Sequence, residues 1–187
     1  MKRLIIFVFV LVTAQLFAQI NPVYISPVKV GNMNLQAGKV FYQNTFGGAT
    51  NLPNLAVKFK SKEQVYSVFN LNSATSTEIK GTITNFQLNI DQYGVKRKKL
   101  AAFLVLPLNA TFNIETVAGR NKITVSNIWF KNLPGDKSLG NRNIEAMVTS
   151  GSGTVFLKKK KNLKSITVIE KNLDELFSAA TGGGMGF

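Results

Sequence analysis

Ala110-Thr111-Phe112-Asn113-Ile114-Glu115-Thr116-Val117, then Ala118-Gly119-Arg120-Asn121, then Lys122-Ile123-Thr124-Val125-Ser126-Asn127-Ile128-Trp129-Phe130, is the stretch that decides the fold. Ala110, Phe112, Ile114 and Thr116 alternate with Thr111, Asn113, Glu115 and Val117, the period-two pattern of a half-buried strand. Ala118 to Asn121 reads as a turn in which Gly119 accepts a positive φ. Lys122 to Val125 resumes the alternation. The phase then slips, because Ile128 and Phe130 have the opposite parity to Ile123 and Val125. A β-bulge near Ser126-Asn127 accounts for the slip, as does burial on both faces.

Upstream, Ile79, Gly81 and Ile83 share one face of a strand over Glu78-Thr84. Phe86, Leu88 and Ile90 continue the alternation after a turn or bulge near Asn85. Gln92-Tyr93-Gly94 and Lys96-Arg97-Lys98-Lys99 read as a turn or loop. Leu100 to Leu106 is wholly apolar, which suggests a strand buried on both faces or placed at an interface. Leu55-Ala56-Val57-Lys58-Phe59 alternates as a short strand. Ser61-Lys62-Glu63-Gln64 fits a capping box, and Val65, Val68 and Phe69 follow at helical spacing, with Asn70 and Asn72 ending that helix.

Downstream, Leu133 to Asn143 is a loop with Pro134-Gly135-Asp136 as its turn. Ile144 to Phe156 holds a weak strand signal near Val155. Asn172-Leu173-Asp174-Glu175 reads as a helix N-cap, with Leu173, Leu176 and Phe177 on one apolar face. Ile166 and Ile169 extend that face backwards, although Thr167 and Val168 fit a strand equally well. Gly182-Gly183-Gly184 ends the helix, so 181–187 is expected to be a disordered tail. Ile20 to Pro53 is rich in Asn, Gly and Gln. It reads as an irregular arm over 19–54, with one or two strands around Val28, Val30 and Val40-Phe41-Tyr42.

The chain opens like an export signal. Lys2 and Arg3 precede the apolar run Leu4 to Val12, which is too short to span a bilayer comfortably. Cleavage is expected after Ala18, with Ala14 as the alternative, and the ending Leu16-Phe17-Ala18-Gln19 resembles Gram-negative export signals. Removing residues 1–18 leaves 169 of the 187 residues, enough for one domain over 55–180. Removing Lys2 and Arg3 takes the net charge from +14 to +12. Such a surplus attracts polyanions or simply keeps a protein soluble. The expected address is the periplasm or the extracellular side of a bacterial envelope. That address argues against nucleic acid as a partner and for peripheral membrane contact at most.

Lys58 to Phe130 resembles a bacterial envelope domain of unknown function with a TATA-box-binding-protein-like fold. The residues that carry the resemblance are Ser61-Lys62-Glu63-Gln64-Val65-Tyr66, Glu78-Ile79-Lys80-Gly81-Thr82, Phe112-Asn113-Ile114-Glu115 and Gly119 to Ile128. The family's usual Trp near the helix end is missing. The resemblance implies a curved antiparallel sheet with a helix before it and a helix after it. The patterning alone gives the same order: an α+β domain with four or more strands and two helices. A shared fold implies no shared activity.

With no His and no Cys, the common nucleophilic triads, usual zinc sites and thiol chemistry are excluded. Nine carboxylates offer no evident catalytic pair, and no calcium loop or phosphate-binding Gly motif is present. Hence no catalytic, cofactor or metal residue is nominated, and a carboxylate- or Lys-based hydrolase is the least favoured reading. The candidate anion-binding residues are Lys96, Arg97, Lys98, Lys99, Lys158, Lys159, Lys160, Lys161 and Lys164. The competing reading of the two runs is exposed loops whose Lys residues deter edge-to-edge aggregation. Trp129-Phe130 offers stacking surface, although sheet aromatics belong more often to the core. The expected role is non-enzymatic binding or structural assembly in the envelope, with an unknown envelope protein or an anionic surface as partner. The alternative is a polyanion-, lipopolysaccharide- or lipid-binding module using the Lys-rich runs.

Overall fold

The computed structural model describes residues 25–26, 28–47, 51–61, 67–131 and 142–181. The export segment, most of the capping-box residues, the Pro134 turn and the glycine tail lie outside them. The strands are β1 (Ile25–Ser26), β2 (Lys29–Val30), β3 (Met33–Gln36), β4 (Lys39–Phe46), β5 (Phe69–Ala74), β6 (Glu78–Phe86), β7 (Leu108–Val117), β8 (Arg120–Phe130) and β9 (Arg142–Asn143). The helices are α1 (Leu52–Lys60), α2 (Ile144–Val148) and α3 (Lys160–Thr181). All nine strands join one curved antiparallel sheet in the order β1-β2-β3-β4-β8-β7-β6-β5, with β9 pairing β8. An α+β domain with a helix on either side of its central strands is thus what the patterning predicts.

The β7–β8 hairpin forms as read. Val117 pairs with Arg120, and Ala118 and Gly119 both take positive φ, 50° and 73°. That is the two-residue turn whose twist suits a hairpin. The phase slip is a bulge: the register jumps between the Asn109–Trp129 and Thr111–Ser126 pairs, with Asn127 at φ 50°. Ile123, Val125, Ile128 and Phe130 consequently all face the core. Trp129 stands half-buried on the other face, so only its neighbour Phe130 is core. A second irregularity follows Ile83 in β6, where Asn85 has φ 54° and donates its N–H to Asn109 Oδ1 at 3.0 Å.

Several segments depart from the sequence reading. Leu55 to Phe59 is not a strand but part of α1. Leu52, Leu55, Ala56 and Phe59 are buried at helical spacing while Val57 is 69% exposed. Asn51 caps the helix and Pro53 fits its first turn, where a missing N–H costs nothing. Ser61 therefore ends a helix instead of starting one, its N–H meeting the carbonyls of Val57 and Lys58. Phe69, Asn70 and Asn72 lie in β5, not in a helix. The arm is not irregular where it is described, since β1–β4 extend the same sheet. Gln87 to Ile90 leaves the sheet, although Leu88 and Ile90 remain buried. Leu100 to Leu106 is no strand: it is a turn with a 3-10 segment at Ala102–Val105, burying Leu100, Phe103, Leu104 and Leu106. Ile144–Val148 is helical, and only a bridge between Thr149 and Phe156 remains of the strand near Val155.

Helix α3 starts twelve residues before the expected Asn172 cap and crosses the sheet. Ile166, Ile169, Leu173, Phe177 and Ala180 form its buried stripe. Asn172 sits inside the helix, where its Oδ1 accepts the Asn89 N–H at 2.7 Å and pins the Leu88–Ile90 segment. At the other end of α3, Phe177 meets Phe69 and Phe112 with ring centroids 5.5 and 5.9 Å apart, and Phe59 stacks on Phe69 at 4.4 Å. Gly81 lies between Leu71 and Phe112; a Cβ there would overlap the Asn70 carbonyl and the Phe112 ring.

Candidate anion-binding site

The described carboxylates have structural tasks. Glu78, Asp91 and Glu115 pair with Lys80, Arg97 and Lys122 at the surface. Asp174 accepts from the Tyr42 hydroxyl at 2.6 Å and from Asn44 Nδ2 at 2.7 Å. Glu170 accepts the Asn32 N–H at 2.6 Å. Burial pushes the Glu170 carboxyl above its ordinary range, partly offset by the Asn32 bond. Gly31, with φ +55°, leaves the room that this carboxylate fills. Glu145 accepts the Val40 N–H at 3.0 Å, and Glu175 accepts from Gln92 at 2.9 Å. These bonds fasten α2 and α3 to the sheet and loops. No cluster of three or more potential metal ligands occurs among the described residues.

The two basic runs converge. Leu100 is buried, and the next residue, Ala101, donates its N–H to Ser165 Oγ at 2.8 Å. Ser165 Oγ in turn donates to the Lys161 carbonyl at 2.8 Å, one turn earlier in α3. This bond clamps the end of the first run against the start of the helix. Lys98 and Lys99 then line one side of a depression of about 250 Å³, and Lys160, Lys161 and Lys164 line the other. Helix spacing places Lys160, Lys161 and Lys164 on one face. The positive end of the α3 macrodipole lies at this same end.

The other candidates differ in role. Arg97 makes a bidentate pair with Asp91, at 3.0 Å through Nε and 2.6 Å through Nη2. Asp91 is held below the usual carboxylate range chiefly by that bond. Arg97 is therefore engaged within the chain. Lys96, Lys158 and Lys159 are exposed and flank the depression without lining it. Among the described residues no ion pair involves any of the five lining lysines. Like charges gathered this way repel, and a bound anion relieves that repulsion.

Sequence reasoning nominated all five lining lysines but missed Ser165, the residue that brings the runs together. It also missed a neighbouring apolar slot of about 270 Å³. The slot's sequence signal was the apolar run from Leu100 to Leu106, read as a strand.

No protein-family profile and no curated protein matches the chain. Two solved structures are similar to it. One is a DUF4468 family protein from Bacteroides ovatus ATCC 8483, 12% identical, with a TM-score of 0.52, covering 84% of this chain and 95% of that one. The other is a TBP-like protein from Parabacteroides distasonis ATCC 8503, 19% identical, with a TM-score of 0.49, covering 80% of this chain and 97% of that one. The resemblance read from the sequence holds at the level of fold.

Proposed function

We propose that this chain is an exported, non-enzymatic binding protein of the bacterial envelope, and that the lysine-lined depression is its contact surface for anionic groups. One observation carries the reading: two Lys runs some sixty residues apart converge on one depression, with no ion pair to a described carboxylate. A basic run kept only for solubility has no reason to meet a second one, since clustering like charges costs free energy. The absence of His and Cys supports binding over catalysis, as does the structural use of the described carboxylates. Export rests on the N-terminal layout of Lys2, Arg3 and the apolar run to Val12.

The test is binding of the exported protein to lipopolysaccharide and to vesicles containing phosphatidylglycerol, at about 0.1 M and about 1 M salt. The Debye length falls from about 10 Å to about 3 Å between those conditions. Binding that weakens with salt, and is lost when Lys98, Lys99, Lys160 and Lys161 are all changed to Glu, is the expected result. Absence of binding, or binding indifferent to the substitutions, overturns the reading and points to a protein partner elsewhere on the surface.

A further inference from the structure

The depression and the apolar slot share two supports. Lys98 and Lys99 line the depression, and the residues that follow, Ala101, Ala102 and Phe103, line the slot. On the helical side, Lys160, Lys161 and Lys164 line the depression, while Asn162 of the same turn donates to the carbonyl of Met147, a slot residue, at 3.0 Å. The Ala101–Ser165 hydrogen bond lies at the seam. Buried Phe103, Leu106 and Phe130 give the slot an apolar floor, with the Phe103 and Phe130 rings 4.9 Å apart. Ala102 and Ala146 contribute exposed small side chains to its rim, and Arg142 adds another cation.

We infer that the site takes an anionic amphiphile: a phosphate-bearing lipid whose headgroup meets the lysines and whose acyl chain enters the slot. This inference rests on the anion-binding reading above and adds the chain to it. Charge complementarity selects an anionic head, and the Phe103, Leu106 and Phe130 floor of the slot next to it favours a hydrocarbon neighbour to that head. At about 270 Å³ the slot is smaller than the 300–1,000 Å³ typical of whole-ligand pockets, so it holds part of one chain. A free phosphate or a sugar phosphate leaves the slot empty. A neutral lipid leaves the lysines uncompensated.

Three soluble probes separate the contributions: glycerol 3-phosphate has the head alone, a short-chain lysophosphatidic acid has head and chain, and the matching monoacylglycerol has the chain alone. Each buried methylene is worth roughly a fourfold gain in affinity, so about three of them give roughly sixty-fold. Calorimetry on the full protein should therefore find lysophosphatidic acid binding roughly sixty-fold tighter than glycerol 3-phosphate, with the monoacylglycerol weaker than either. Ala146→Trp fills the slot from an exposed helical position, and Ala102→Trp does so from the facing turn. Each should remove the chain-dependent gain and leave glycerol 3-phosphate binding as it was, with circular-dichroism melts confirming that the variants fold. Lys98→Glu with Lys161→Glu should remove binding of both phosphates. Equal affinity for the two phosphates, or a gain that survives both Trp variants, overturns the amphiphile inference while the anion-binding reading stands. No binding of either phosphate overturns both.

Discussion

Tyr42→Phe tests how α3 is fastened to the sheet. Tyr42 is fully buried, and its hydroxyl donates to Asp174 Oδ1 at 2.6 Å. The same oxygen accepts from Asn44 at 2.7 Å and from Asn32 at 3.4 Å. Burial first and Asp174 second push the Tyr42 pKa far above the ordinary phenol value, so the hydroxyl remains a donor throughout the working pH range. A hydrogen bond to a charged group contributes about 1.5–3 kcal/mol. Tyr42→Phe leaves Asp174 with Asn44 as a close donor, which places its cost at about 1.5 kcal/mol. Asp174→Ala strands the buried Tyr42 hydroxyl and Asn44 together, and an orphaned buried group costs a further ~1–3 kcal/mol, for a total of about 3 kcal/mol. For a domain of this size, about 2–4 °C per kcal/mol gives Tm losses of about 3–6 °C and about 6–12 °C. Urea unfolding followed by circular dichroism reads both. The double variant should cost less than the sum, by at least about 1 kcal/mol, because removing both partners strands fewer groups. A neutral Tyr42→Phe, an additive double variant, or a Tyr42→Phe costlier than Asp174→Ala would show that the Tyr42–Asp174 bond does not hold α3 to the sheet.

Three further perturbations follow from the same geometry. Gly81→Ala drives a methyl into the Asn70 carbonyl and the Phe112 ring, and should cost about 1–3 kcal/mol in urea melts; an unchanged midpoint would show that β5 yields freely. Ser165→Ala removes the acceptor of the Ala101 N–H, so it should cost about 1–3 kcal/mol and also weaken binding to anionic vesicles; stability loss without a binding change would separate the clamp from the site. Glu170→Gln keeps an acceptor for the Asn32 N–H but abolishes the charge. Because the folded-state pKa of Glu170 is raised, its favourable contribution is present below the usual value of 4.5 and is lost as pH rises through the folded value. The variant should therefore gain on the natural protein between about pH 4 and pH 7 in paired urea titrations, and a relative loss over that window would contradict the raised pKa.

The central hairpin was legible because its alternation is long and its turn ends on a glycine, and Asn127's bulge announced itself as a parity slip. Helix α1 was misread because Leu55, Val57 and Phe59 mimic period two. The stronger signal was Asn51, Pro53 and the Leu52, Leu55, Ala56, Phe59 spacing, which crossed the boundary assigned to the arm. Residues Leu100 to Leu106 were ambiguous in principle, since an unbroken apolar run carries no periodicity. The short β1–β3 strands depend on pairing with β4, a tertiary effect that local propensity does not reveal. The lysines of the candidate site were visible as runs. Their convergence was not, because it depends on the Ser165–Ala101 bond between residues 64 apart in sequence.

A lysine-lined site and mere net charge are told apart by moving the charge that is removed. Lys98→Gln with Lys161→Gln removes two charges from the depression. Lys58→Gln with Lys60→Gln removes two from the last turn of α1, whose Phe59 belongs to the ring cluster at the Phe177 end of α3. Both variants carry the same net charge, so vesicle binding at fixed salt compares position alone. Binding should fall at least tenfold in the first variant and change less than twofold in the second, a gap of at least about 1 kcal/mol. Equal losses in the two would contradict it, leaving the lysines as general surface charge.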